Sequence, residues 1–197
     1  MFALTTVVTI ALAFFNKNPN QGQFRDLAAA LLWIALTFTS LLGLPRTFLA
    51  EEEAGTMDLL RLLARPHAVF WGKTLYNLVQ STFLGGFVTV MFLALVGVRV
   101  EFPLLFAVGM LGGSVALSST VTLCGAIAAP AANRSAVAAA IAVPLVLPLE
   151  QALVAATRAS FGAGVLSLGW TSAYGSLGFA TLALALGPVL FAAVWKP

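Results

Sequence analysis

From Leu104 to Ala129, between Pro103 and Pro130, the chain carries no charged residue. A hydrocarbon core of about 30 Å needs about 20 helical residues at about 1.5 Å each, so this stretch is long enough to cross a bilayer. Comparable runs lie between Asp26 and Arg46, between Lys73 and Arg99, from Ser135 to Thr157 with one interruption at Glu150, and from about Tyr174 to Trp195. A shorter run, Phe2 to Phe15, comes before them. Lipid offers no water to unpaired backbone groups, and the alternation suited to a barrel is absent, so the spans are expected to be helices. The sequence therefore predicts an all-α polytopic membrane protein. It forms one transmembrane domain over 1–197, with six spans near 2–15, 27–45, 74–98, 104–129, 135–157 and 174–195.

Composition closes off other classes. Of 197 residues 60% are apolar and 9% charged, whereas soluble domains are roughly a quarter charged. A net charge of +3 is too sparse for a nucleic-acid groove, and the surroundings are membrane lipid. Cys124 is the only cysteine, which excludes an intrachain disulfide or a CxxC zinc site. His67 is the only histidine, so one chain has no bis-histidine haem site. No serine–histidine pair, His/Glu cluster or paired intramembrane carboxylates appear, so no catalytic residue, metal site or directly bound cofactor is expected. Gly72-Lys73-Thr74 ends like a phosphate-binding loop, but His67 stands where the first glycine belongs and no strand precedes it. Ala11-Leu12-Ala13 has the small-x-small form of a signal cleavage site without a basic region ahead of it, so the first run is read as an anchor.

Six spans divide the basic residues into two sets. Arg46, Arg61, Arg65, Lys73, Arg134 and Lys196 fall on one side, and Lys17, Arg25, Arg99 and Arg158 on the other. The positive-inside rule then places both termini in the cytoplasm. Between Arg158 and Ala173 the glycines 162, 164 and 169 interrupt an apolar stretch beside Trp170 and Tyr174. A short re-entrant or interfacial segment on the outer side is expected there, the alternative being a long tilted sixth helix starting near Gly164.

The hydrophilic segment 46–73 holds Glu51, Glu52, Glu53 and Asp58, four of the seven acidic residues of the chain. Its centre reads as an amphipathic helix. Thr56 after Gly55 is a candidate N-cap, Asp58 lies in the first turn, Arg61 and Arg65 lie toward the end, and Pro66 stops it. Leu59, Leu60, Leu62 and Leu63 make an apolar stripe that must be buried in something. Headgroups are one candidate. Three consecutive carboxylates would be repelled by an anionic leaflet, whereas a partner protein can pair them with Lys or Arg, so the sharper reading is a docking element.

Two features inside the spans stand out. Gly112, Ala116, Thr120, Cys124 and Ala128 recur every fourth residue beside Gly109 and Gly113; such a stripe lets helices approach closely, within one chain or between two copies. Glu150 is an acid well inside a span and calls for a partner or an aqueous cavity. Anchoring at the interface or pairing with Arg158 is one reading, and lining an outward vestibule is the other.

The order Glu53-Ala54-Gly55-Thr56-Met57-Asp58-Leu59-Leu60 through Pro66 and Gly72-Lys73 resembles the cytoplasmic coupling segment of type 2 ABC exporter permeases. Within that group the approach Leu44-Pro45-Arg46-Thr47-Phe48, the small-residue fourth span, and Arg134 followed by Val143-Pro144-Leu145-Val146-Leu147-Pro148-Leu149 are similar to the permease B subunit of the haem exporter of cytochrome c maturation. The resemblance covers roughly residues 30 to 155. It departs where members have an amphipathic helix before the first span and where Glu150-Gln151 follows Leu149.

The resemblance implies a multi-pass subunit of the bacterial inner membrane, paired with a second copy. A separate cytoplasmic ATPase would bind ATP and magnesium, and haem would be a handled ligand. It further implies a haem-handling membrane subunit, a small single-span subunit and a periplasmic haem chaperone. Glu51, Glu52, Glu53, Gly55, Thr56, Asp58, Leu59, Leu60, Leu63 and Pro66 would then dock the ATPase. A type 2 permease exporting a lipid, drug or glycan, and a non-transporting scaffold, are the alternatives.

Overall fold

The computed structural model describes residues 22–43, 55–56, 62–128, 131 and 133–195. These contain five helices, α1 (Gly22–Gly43), α2 (Pro66–Val96), α3 (Pro103–Ala128), α4 (Arg134–Ser160) and α5 (Leu166–Trp195), and no strand among the described residues. Each includes a segment long and apolar enough to cross a membrane. The predicted span 2–15 and most of the amphipathic coupling helix lie outside the described residues.

Local chemistry sets the helix ends. Pro66 occupies the first turn of α2 after an extended Arg65; its missing N–H has no partner to lose there and its ring presets φ. The helix consequently starts eight residues before the span drawn from Lys73, which lies in its second turn. It stops at Gly97, whose φ of 72° is left-handed and whose N–H donates to Leu93 O at 3.0 Å.

α3 is the central element, and every residue from Ala116 to Ala126 is buried. Small side chains allow this. Lipid tails are as apolar as leucine, so helices gain from close packing rather than from leaving water. A Cβ on Gly113 would sit 2.2 Å from the Trp33 ring of α1. Trp33 packs in one core with Val88 and Phe92 of α2, Ala116 and Leu117 of α3, and Leu149 and Leu153 of α4. Its Nε1–H donates to Thr157 Oγ1 at 2.7 Å, which satisfies the buried indole.

One expectation is overturned. The outer re-entrant segment is replaced by a turn at 161–165 and a continuous helix from Leu166 to Trp195. Of the three glycines, Gly162 and Gly164 lie in the turn and only Gly162 is left-handed, with φ +77°. Gly164 and Gly169 serve close approach: a Cβ on Gly164 would lie 3.2 Å from Ala159 N, and one on Gly169 2.4 Å from Ala159 Cβ. At about 1.5 Å per residue, the 30 residues of α5 span about 45 Å, more than the bilayer core.

Candidate functional site

Two ends of the bundle and one lateral groove hold most of the polar chemistry. At the end where α1 begins, Arg25 Nη1 meets Glu101 Oε1 at 2.6 Å. Arg158 grips Asp26 with two bonds, Nε to Oδ1 at 2.7 Å and Nη2 to Oδ2 at 3.0 Å. The N–H groups of Glu101 and Phe102 both donate to Ser160 O at 2.9 Å. A side chain on Gly162 would strike the Glu101 carboxylate, 2.0 Å from its Oε2. Thus the start of α1, the α2–α3 connection and the α4–α5 turn are tied into one clasp.

Below this clasp α1 and α4 diverge around a cavity of about 550 Å³. Its walls are apolar, with Ile34, Phe38, Val143 and Leu147 among them, and its polar members are Thr37, Glu150 and Gln151. Glu150 is eight residues before Arg158, about 12 Å along the helix axis, inside the candidate span Ala136–Ser160. The expected pairing of Glu150 with Arg158 does not form, because Asp26 takes both the Nε and the Nη2 of that guanidinium. No cation pairs with Glu150 among the described residues. The Thr37 hydroxyl, buried and without a hydrogen-bond partner among the described residues, lines the same cavity.

A second, smaller cavity of about 30 Å³ lies between α1, α2 and α3, bordered by Thr39, Ser40, Gln80, Ser81 and Ser114; it has room for about one water with several partners. Nearby, Asn77 Nδ2 donates to Thr122 Oγ1 at 2.8 Å, a buried bond joining α2 to α3.

The α3 stripe is placed inside the chain. Gly109, Gly112, Gly113, Ala116, Thr120, Cys124 and Ala128 are all buried. A Cβ on Gly112 would lie 3.0 Å from Ser176 Oγ, and one on Gly109 3.6 Å from Ala156 Cβ. These residues are thereby brought against α4 and α5 of the same molecule.

The CcmB protein family matches residues 1–196. The chain belongs to this family. Heme exporter protein B of Bradyrhizobium diazoefficiens is 27% identical over 174 residues, covering 83% of this chain and 75% of that protein. No solved structure matches the chain at a significant level.

For this CcmB family member the expected docking residues are described only in part. Gly55 and Thr56 are exposed, Gly55 with φ +68°. Leu63 and its neighbour Leu62 are 76% and 84% exposed, and Pro66 opens α2. Glu51, Glu52, Glu53, Asp58, Leu59 and Leu60 lie outside the described residues. Sequence reasoning missed the clasp entirely. In the sequence only Arg25 and Arg158 count as loop charges of one side, Asp26 marks the edge of a span and Glu101 has no assigned role, yet each of the four sits at the edge of an apolar run, where alternation of spans brings opposite charges to one level.

Proposed function

We propose that this chain is the transmembrane permease subunit of an ABC-type complex acting in haem export or delivery for cytochrome c maturation. The observation that carries the reading is the family match over residues 1–196, on a chain with five helices fit to cross a membrane. In this reading ATP and magnesium are bound by a separate cytoplasmic ATPase. Its closure drives either haem transfer or release of a haem-loaded periplasmic chaperone, and two copies of the chain work with a haem-handling membrane subunit and a small single-span subunit. The protein sits in the inner membrane with both termini in the cytoplasm, as its basic residues favour.

The segment 46–65 is the docking element in this reading. Leu59, Leu60 and Leu63 fill a groove of the ATPase, while Glu51, Glu52, Glu53 and Asp58 set orientation by charge. The exposure of Leu62 and Leu63 supports it, since large apolar side chains held away from the bundle ask for a cover. Leu60→Asp combined with Leu63→Asp should abolish ATPase co-purification while leaving membrane insertion intact, and undiminished co-purification would reject the docking role.

The groove between α1 and α4 is assigned as the lining of an outward vestibule. Support comes from Glu150, a carboxyl without a cationic partner among the described residues, in a wall whose other polar members are Thr37 and Gln151. Glu150→Gln should lower the partner-stimulated function, and unchanged function would remove Glu150 from this role.

The deciding experiment is haem-peroxidase staining of c-type cytochromes in cells lacking the chain, with b-type haem spectra as control. Selective loss of covalently attached haem, restored by the intact chain, is expected. Normal c-type cytochromes would overturn the haem reading.

A further inference from the structure

Phe70 lies one turn beyond Pro66 and is fully buried. It is the one large apolar side chain buried in α2 before Val88, where the other buried positions are Thr74, Asn77 and Gly85. Its ring fills the space that a side chain at position 187 of α5 would need: a Cβ on Gly187 would lie 2.2 Å from Phe70 Cζ and 2.7 Å from Cε1. Phe191, one turn further along α5, meets the same ring with centroids 5.9 Å apart, and Trp71 stands against it nearly perpendicular at 6.2 Å.

The seat is also where α5 bends most easily. Pro188 has no N–H for the carbonyl of Leu184, and Gly187 before it has the least restricted backbone. On the other side of Pro66 stand the exposed Leu62 and Leu63. A segment with its leucines outside the bundle therefore enters it at Pro66, and its first fully buried contact is made at the weakest point of α5.

We infer that Phe70 is a positioning residue that carries movement of the segment before Pro66 into α5, with Gly187–Pro188 as the joint that yields. This rests on the docking role proposed for that segment. A force applied at Leu62 and Leu63 passes the extended Arg65 and enters α2 at Pro66, one helical turn before Phe70, and the ring, wedged against Gly187 and Phe191, levers the last turns of α5.

The test uses the full complex purified from membranes and reads three quantities: co-purified ATPase, ATP turnover, and covalent haem in c-type cytochromes per folded chain. Phe70→Ala is expected to keep the ATPase bound and its turnover within twofold while attached haem falls at least tenfold. Gly187→Ala, which pushes the ring out, is expected to uncouple in the same way. Adding Phe70→Leu to Gly187→Ala makes room again and is expected to recover haem attachment to within about threefold of wild type. Full haem attachment by Gly187→Ala, or a double variant no better than Gly187→Ala at equal amounts of folded chain, would overturn the joint. So would turnover and attached haem falling together with chain abundance, the mark of a merely structural role. A wild-type chain that brings down no ATPase would overturn the docking reading, and the joint with it.

Discussion

The two ends of the bundle are held by different physics. Where α1 begins, two ion pairs and two backbone hydrogen bonds lock three connections together, and Arg25 is only 14% exposed. Where α2 begins, the lock on α5 is an aromatic ring against a glycine, with leucines beyond it facing outward. Hydrogen-bonded charges demand one geometry, because breaking them leaves donors and a carboxylate without partners. A ring seated on a bare helix surface is held by dispersion contacts, which are many, weak and undirected, so the contact can persist while the helices shift together. In the proposed coupling the clasp is the fixed end and the Phe70 seat the end that moves.

Substitutions that attack this contrast should rank accordingly. Gly162→Ala places a Cβ on the Glu101 carboxylate at a left-handed φ, and should cost about 2–3 kcal/mol of stability in a detergent unfolding titration. A loss below about 0.5 kcal/mol would mean the clasp gives way easily and the contrast is false. Glu101→Ala strips the mostly buried Arg25 of its ion-pair partner; about 1–2 kcal/mol is expected in the same titration, discounted because Glu101 is 45% exposed. Arg158→Ala removes a pair with both partners more than a third exposed. It should cost under about 1 kcal/mol, and less at high salt, which a titration in 0.1 M against about 1 M salt would check. Leu63→Asp should leave stability within about 0.5 kcal/mol, since its side chain stays in solvent, yet weaken ATPase co-purification. A large loss of stability there would show that Leu63 packs in the bundle.

Much of the architecture was legible before any coordinates. Long uncharged runs dictate membrane helices, and the four-residue repeat from Gly112 to Ala128 marked α3 as the element neighbours approach closely. Glu150 stands out in the sequence for its cost in lipid, and the structure places it on the wall of the groove between α1 and α4. The sixth span was misjudged because glycine carries two signals, a flexible turn and a flat packing surface. Only the neighbours tell them apart: Gly162 turns the chain, whereas Gly164 and Gly169 give Ala159 room. The clasp was illegible for another reason. Asp26 and Arg158 are 132 positions apart and Arg25 and Glu101 are 76 apart, so no local period links them.

What the sequence determined by itself was the solvent of this protein, the helical state of its spans and the family to which it belongs, because hydropathy and motif order are properties of the chain read in line. Which charges meet, which glycine receives a ring and which face is left open on a cavity were decided by tertiary structure alone. Those depend on how helices rotate and tilt against each other, and that is set by the sum of many small packing contacts rather than by any one residue.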